Sequence, residues 1–271
     1  MDPLLFLIFV TGLVAGIFSG LLGIGGAVLL IPAAMYLPPV FGLLPFGIKA
    51  ATGIAMTQCL GGTLAASRIH YQKGTLIPGL VLVLGAGSFI GGFIGGYGSQ
   101  FFSDISLKLI YMCLLFTVIL FFLRSLNRPD VANGHLWTFD HRTFLQEPKN
   151  WRFLGLTTAI AMLSGLLGIG GAVFLFPVLH GILKVPVKQA IGTCTGLVLL
   201  TAMTGFTGKW ISGQIPLAEG LAVTIGALIG GTIGAKIAHL VPIFWLRLCF
   251  LCIVTLAFAR VGLEMLQRFV L

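Results

Sequence analysis

The chain has 271 residues, of which 58% are apolar and only 8% are Asp, Glu, Lys or Arg. A typical soluble domain has about 25% charged residues, so a water-soluble protein of this composition could not cover its own surface. The composition excludes a soluble enzyme, a nucleic-acid-binding module and a disordered chain, and it indicates a polytopic α-helical membrane protein. The net charge of +9 does not change this, because the basic residues lie singly at the ends of apolar runs and in one central polar stretch.

Apolar runs of membrane-spanning length divide the chain into two halves. In chain order they cover 4–37, 50–67, 78–98 and 105–124, then 153–183, 189–208, 217–238 and 243–266. A polar linker at 125–152 separates the two groups of four runs. We therefore predict an all-α fold with membrane repeats at 1–124 and 153–271, joined by a linker that the positive-inside rule places in the cytoplasm.

The two halves carry the same sequence signature. The ten residues from Ser19 to Val28 recur letter for letter from Ser164 to Val173, and a proline follows each block at Pro32 and Pro177. Further matches lie 139 positions apart, where Lys49, Ala51 and Gly53 correspond to Lys188, Ala190 and Gly192. Duplicated membrane segments with glycine interruptions at equivalent places are typical of secondary transporters, whose substrate site lies where the repeats meet.

Each glycine block lies inside an apolar run and is predicted to break its helix. Glycine disfavours a helix interior by about 1 kcal/mol relative to alanine, and three glycines fall within four residues at 23–26 and at 168–171. A broken helix leaves unpaired N–H groups at the start of its second half, where the helix dipole is positive and an anion can bind. The expected anion contacts are Gly25, Gly26 and Ala27 in the first copy and Gly170, Gly171 and Ala172 in the second.

Polar residues in the second run of each half complete the candidate site. Lys49 and Lys188 begin these runs, where a bound anion would offset the unfavourable interaction of a lysine with the helix start. Snorkelling of both lysines to the lipid headgroups explains them equally well. Donors that suit a small oxyanion follow at Thr52, Gln58 and Thr193.

Other features of the sequence point to packing and not to chemistry. Glycines spaced four residues apart suit close helix contacts, either within the chain or in a homodimer. No metal-ligand pattern, cofactor motif or intramembrane protease motif occurs. We therefore expect that the protein binds no metal ion or cofactor and is not an enzyme. Carboxylates are nearly absent from the apolar runs, which argues against a cation site built from acidic side chains.

The duplicated glycine block followed by proline, the Lys-x-Ala-x-Gly motif and the run from Ala66 to Gly74 together resemble the TauE/SafE family of sulfite exporters. The resemblance implies transport of small sulfur-containing anions, such as sulfite, sulfoacetate or other organosulfonates, across the bacterial inner membrane. Family members often have Gly-Thr-Ser early in the second run of a repeat. Only the second copy keeps that threonine, at Thr193, which therefore takes the oxyanion contact that the motif implies.

Direction and topology follow from general arguments. An inside-negative potential favours outward movement of one negative charge by about 2.3 kcal/mol per 100 mV, so an anion exporter needs no coupling ion. The alternatives are a passive anion channel and a proton-coupled importer. If each broken segment crosses the membrane once, the linker and both termini lie on one side. If each folds back, the repeats are inverted and the linker lies opposite both termini; we expect this arrangement because it gives alternating access a simple symmetry.

Overall fold

A computed structural model describes residues 2–22, 26–126, 151–237 and 243–270, which contain helices and turns but no β-strand. The first half contains α1 (Pro3–Leu22), α2 (Ala27–Val40), α3 (Ile48–Gln72), α4 (Pro78–Gly98) and α5 (Asp104–Leu126). The second half contains α6 (Trp151–Leu167), α7 (Ala172–Phe176) with a π-helical continuation over Pro177–Ile182, α8 (Val187–Ile211), α9 (Leu217–Ile237) and α10 (Ile243–Val270). Most of the predicted linker lies outside the described residues.

The helices have the length and apolar character that lipid requires. Within the described ranges, four segments are long and apolar enough to cross a bilayer, namely Pro3–Leu21, Pro78–Phe101, Val187–Ile211 and Leu217–Ile237. The prediction of an all-α polytopic membrane fold is confirmed. The first run of each half is interrupted as predicted, because 4–37 contains two separate helices and 153–183 contains α6, α7 and the π-helix.

Helices α3 and α8 end in the same way. Gly74 and Gly213 adopt positive φ values of 66° and 68° directly after the two helices. The amide of Thr75 then donates to the carbonyl of His70, and the amide of Gln214 donates to the carbonyl of Lys209, both at 3.0 Å. This is the Schellman arrangement, in which glycine alone adopts the left-handed conformation without strain.

Glycine faces bring the helices of one half against those of the other. A Cβ on Gly16 of α1 would lie 2.7 Å from the carbonyl oxygen of Ala227 in α9, and Gly12 meets Val223 in the same way. Residue numbers rise together along this contact, so α1 and α9 run parallel. The glycines of α4 at positions 87, 91 and 95 meet α6 likewise. The described glycine series are thus used inside the chain, and the homodimer stays a prediction.

Helices α3 and α8 cross the centre of the molecule in opposite directions. Met56 near the start of α3 contacts Gly205 near the end of α8, and Thr52 contacts Lys209 one turn further along. The connection that follows α3 is correspondingly close to the start of α8. There the amide of Ile77, just before α4, donates to the Thr193 hydroxyl of α8. Positions that match in sequence therefore lie on antiparallel helices.

Candidate functional site

The second glycine block interrupts its helix. Helix α6 ends at Leu167, and α7 begins at Ala172. Between them Gly168, Gly170 and Gly171 have φ values of 75°, 75° and 83°, which only glycine adopts readily. In the first copy α1 ends at Leu22 and α2 begins at Ala27; Gly25, predicted as an anion contact, lies outside the described residues.

Both second half-helices begin with the same hydrogen bonds. The amide of Leu29 donates to the carbonyl of Gly26 at 3.0 Å, and the amide of Phe174 donates to the carbonyl of Gly171 at 3.0 Å. The amides of Ala27 and Ala172 precede these bonds, so they belong to the first turn, whose N–H groups have no acceptor within their own helix. In α2, Tyr111 fixes this turn by donating its hydroxyl to the carbonyl of Val28 at 2.8 Å.

The chain turns back on itself after each first half-helix. Gly26 packs directly on the backbone carbonyl of Ala15, seven positions before the end of α1. The matching Gly171 packs on Ser164 and Ile160 of α6. Each second half-helix therefore begins beside the middle of the first half-helix and not beyond its end.

The starts of the two second half-helices lie close together at Cys59 of α3. The Cys59 side chain is fully buried and lies against the backbone of Ala27. On the other side, a Cβ on Gly170 would lie 2.9 Å from the Cys59 sulfur and 2.5 Å from Val198 of α8. The sequence match pairs Cys59 with Val198, so both breaks meet at the crossing of α3 and α8.

Unpartnered polar side chains lie beside this meeting point. Gln58 is 0% exposed, and neither its amide nitrogen nor its amide oxygen has a hydrogen-bond partner among the described residues. The buried hydroxyl of Ser19 in α1 likewise lacks a partner there. A Cβ on Gly62 would lie 3.3 Å from Gln58 Nε2 and 3.4 Å from Ser19 Oγ, so the two groups flank the same glycine. Leaving such groups unpaired costs about 1–3 kcal/mol each, which a polar ligand would offset.

A buried lysine lies toward one end of the central helix pair. Lys209 of α8 is 0% exposed, and its ammonium donates to Thr52 Oγ1 and Ser99 Oγ at 3.1 Å and to the Leu166 carbonyl and Gln214 Oε1 at 3.2 Å. All four acceptors are neutral, and within the described ranges Lys209 contacts no carboxylate. The Leu166 carbonyl belongs to the end of α6, where the helix dipole favours a cation. Among the described residues, Lys209 therefore has neutral partners and no negative side chain beside it.

The predicted site residues divide between the two ends of α3 and α8. Thr52 contacts Lys209, and Lys49 donates to the carbonyl of Gln100 at 3.2 Å. Thr193 accepts from the Ile77 amide near the opposite end, and Lys188 is exposed there. Sixteen residues of α8 separate Thr193 from Lys209, about 24 Å at 1.5 Å per residue. Lys49 does not form one cluster with Lys188 and Thr193 in this structure, because the antiparallel helices hold the two lysines apart. The contacts of these residues with an anion stay a prediction.

Sequence reasoning did not single out Lys209 and Ser19, which the structure places among the buried polar groups. Lys209 falls just beyond the apolar run that ends at 208, so it reads as an interfacial residue. The repeat could have indicated that Lys209 is buried, because Lys209 matches His70 at the repeat offset of 139 positions. Both side chains are buried in the structure. Ser19 belongs to the duplicated block, in which the glycines are the more prominent feature.

Helices of this length, two helix breaks that meet deep inside the molecule and unpartnered polar groups beside them define a multi-pass membrane transporter. The family model described as "Sulfite exporter TauE/SafE" matches residues 8–261. The chain belongs to the TauE/SafE sulfite exporter family.

Relatives of the chain are named as transporters. It is 27% identical over 239 residues to the probable membrane transporter protein YunE of Bacillus subtilis, covering 84% of this chain and 86% of the relative. It is 25% identical over 263 residues to a probable membrane transporter protein of Haemophilus influenzae, covering 91% and 94%. No solved structure matches the chain. The prediction of a transporter and not an enzyme is confirmed by these names.

Proposed function

We propose that the protein exports small sulfur-containing anions, such as sulfite, sulfoacetate or other organosulfonates, across the bacterial inner membrane. The observation that carries the proposal is the amide of Gln58, fully buried and unpartnered beside the meeting point of the two helix breaks. The family description names sulfite export, and the chemistry of the residues around Gln58 suits such a substrate.

The groups near Gln58 are donors that a small oxyanion can use. The Gln58 NH₂ and the Ser19 hydroxyl supply side-chain donors, and the start of α2 adds the positive end of its helix dipole. The backbone of Ala27 itself is hydrogen-bonded to Cys59. Charge-assisted hydrogen bonds from the two side chains to an anion are roughly twice as strong as neutral ones. Within the described part of the chain no carboxylate contacts these groups, so an anion meets no like charge there.

We further propose that the two halves are inverted repeats, at 1–124 and 153–271, joined by a cytoplasmic linker at 125–152. Support comes from the antiparallel course of α3 and α8 and from the reciprocal packing of α1 on α9 and α6 on α4. In this arrangement each broken segment folds back, and both termini lie opposite the linker. Rocking of one half against the other would then expose Gln58 to each side in turn.

Export, as opposed to uptake, is favoured by electrostatics. With the interior negative, outward movement of one negative charge gains about 2.3 kcal/mol per 100 mV. Lys209 contacts neutral oxygens and, among the described residues, no carboxylate, so an anion meets no like charge at that end of the pathway. An uncoupled transporter of this kind would run outward in a living cell.

The test is sulfite flux in proteoliposomes. We expect saturable efflux of radiolabelled sulfite, inhibition by sulfoacetate, and acceleration when unlabelled sulfite is present on the opposite side. Acceleration from the opposite side distinguishes alternating access from a channel, and a potassium diffusion potential set with valinomycin should drive the flux in the direction that the voltage predicts. Accumulation driven by a pH gradient alone would establish the importer, and the lack of any saturable flux from monodisperse protein would refute the proposal.

A further inference from the structure

A groove between helices of the bundle has a lining that does not include Gln58. It has a volume of about 880 Å³ and lies between the last turns of α3, the start of α4, the first half of α8 and the end of α9. This volume is within the range of sites that bind small molecules. The protein leaves it open toward the surroundings of the bundle, where the lipid is.

The walls of the groove are apolar, and its rim is basic. Leu64, Leu200 and Leu228 line its length, while Arg68 and Lys236 lie at one end with their side chains exposed. Neither cation has a carboxylate partner within the described ranges. An anionic head with an apolar tail complements this pattern.

The basic end of the groove lies at one membrane surface. Helices α3 and α9 run parallel, since Gly220 meets Thr57 and Gly231 meets Gly62, so their last turns lie at the same side. Lys73 joins these ends by donating to the Ala235 carbonyl at 3.1 Å. Arg68 and Lys236 are therefore at headgroup level, and the leucines extend from them toward the hydrocarbon.

We propose that this groove binds an anionic phospholipid, with the phosphate between Arg68 and Lys236 and an acyl chain along the leucine wall. Basic pockets between membrane helices bind anionic headgroups in this way, and each cation near a charged surface contributes roughly fivefold to binding. The small sulfur-containing substrate lacks an apolar tail that would use the wall. A zwitterionic lipid would place its own cation near the two basic side chains.

Native mass spectrometry of the purified full-length protein in detergent tests the proposal. Equal amounts of phosphatidylglycerol and phosphatidylcholine are added, and retained lipid is counted. We expect preferential retention of phosphatidylglycerol, reduced roughly 25-fold in Arg68→Gln/Lys236→Gln, that is, about fivefold per cation. The matched control is Lys184→Gln/Arg152→Gln, which removes two exposed cations outside the groove.

A second variant tests the acyl-chain part of the site. Leu64→Trp fills the groove at a position that is 52% exposed, so the fold should tolerate it. It should lower phosphatidylglycerol retention about as much as loss of one cation, and glycerol 3-phosphate should not compete. Competition by glycerol 3-phosphate would show a site for free phosphate and overturn the lipid assignment. Equal retention of both lipids, or an equal loss in the control, would also overturn it.

Discussion

The end of α3 and the end of α8 have the same backbone and different side-chain chemistry. Both close with a glycine at φ near 66–68° and the same backbone hydrogen bonds. At α3 the polar pair is His70 and Thr75, joined at 3.0 Å, whereas at α8 it is Lys209 and Gln214, joined at 3.2 Å. The duplicated scaffold therefore fixes where polar groups are held, and the individual residues decide what each end does.

The centre of the molecule shows the same contrast. Gln58 of α3 corresponds to Leu197 of α8, so the unpartnered amide exists in one half only. Ser19 and Ser164 are identical residues, yet Ser164 donates to the Ile160 carbonyl at 2.6 Å while Ser19 has no partner in the described residues. An asymmetric site on a repeated scaffold lets the two access states bind the substrate differently, which a directional transporter can use.

The largest expected effect is at the two helix ends. Lys209→Met removes the donor from four buried oxygens. Since an ammonium group has three hydrogens, two or three hydrogen bonds are lost, and the free energy of unfolding should fall by about 3 kcal/mol. His70→Met removes the bond to Thr75 and the contact with the Gly20 backbone, and it should lower the free energy of unfolding by about 1–2 kcal/mol. Unfolding in mixed micelles measures both values. Equal losses for the two variants would show that the ends are equivalent after all.

Replacing Gln58 by leucine, the residue at the matching position 197 of the second half, separates an effect on transport from an effect on stability. Gln58→Leu gives the first half the residue of the second, and we expect sulfite flux to fall between tenfold and 100-fold through loss of a bond to a charged ligand. The fold should be no less stable, because an unpaired buried amide is removed. Thr63→Val is the control on the same helix, since the Thr63 hydroxyl already donates to the Cys59 carbonyl. Unchanged flux in Gln58→Leu would exclude Gln58 from the site.

The two glycine breaks should respond differently to alanine. Gly26 has an ordinary φ of −65° but packs on the Ala15 carbonyl, so Gly26→Ala must separate α1 from α2, costing about 2–3 kcal/mol. Gly171 has a φ of 83° and meets the Ser164 side chain, so Gly171→Ala should cost about 1–2 kcal/mol, mainly from backbone strain. Thermal unfolding measures both. Ser164→Ala should partly rescue Gly171→Ala, and a full rescue would show that strain contributes nothing.

The sequence predicts the helices well where one run of residues decides the outcome. The run 78–98 coincides with α4, because Pro78 suits a first helical turn and the glycines from 85 to 96 are used in packing. The run 50–67 falls short of α3, which continues to Gln72, because Arg68 and His70 lower the apolar content without ending the helix. The interruption at 168–171 could be predicted because three glycines within four residues disfavour a helix whatever packs against them. The repeat could be recognised because the two halves share an identical run of ten residues.

The arrangement of the site could not be read in the same way. Lys209 has partners from α3, α6, the segment after α4 and the turn after α8, and no spacing along the chain reveals their meeting. The separation of Lys49 from Lys188 depends on the antiparallel course of α3 and α8. Gln58 could be named from its residue type at membrane depth, but its lack of a partner is a property of the packed structure.

The smallest expected effect concerns the two lysines that match in sequence. Lys49 is half-buried and donates to the Gln100 carbonyl, whereas Lys188 is exposed. Lys49→Gln should therefore lower the free energy of unfolding by about 1 kcal/mol and reduce sulfite flux a few-fold, while Lys188→Gln should change stability by no more than about 0.5 kcal/mol.

The variant Lys49→Arg is the control, because it keeps the positive charge. If the lysine acts through the potential it shares with Lys209, this variant should retain the flux, and raising the salt concentration should weaken the effect of Lys49→Gln on flux. A larger loss of flux from Lys188→Gln than from Lys49→Gln would place the limiting electrostatic contact at the opposite end of α8 from Lys209.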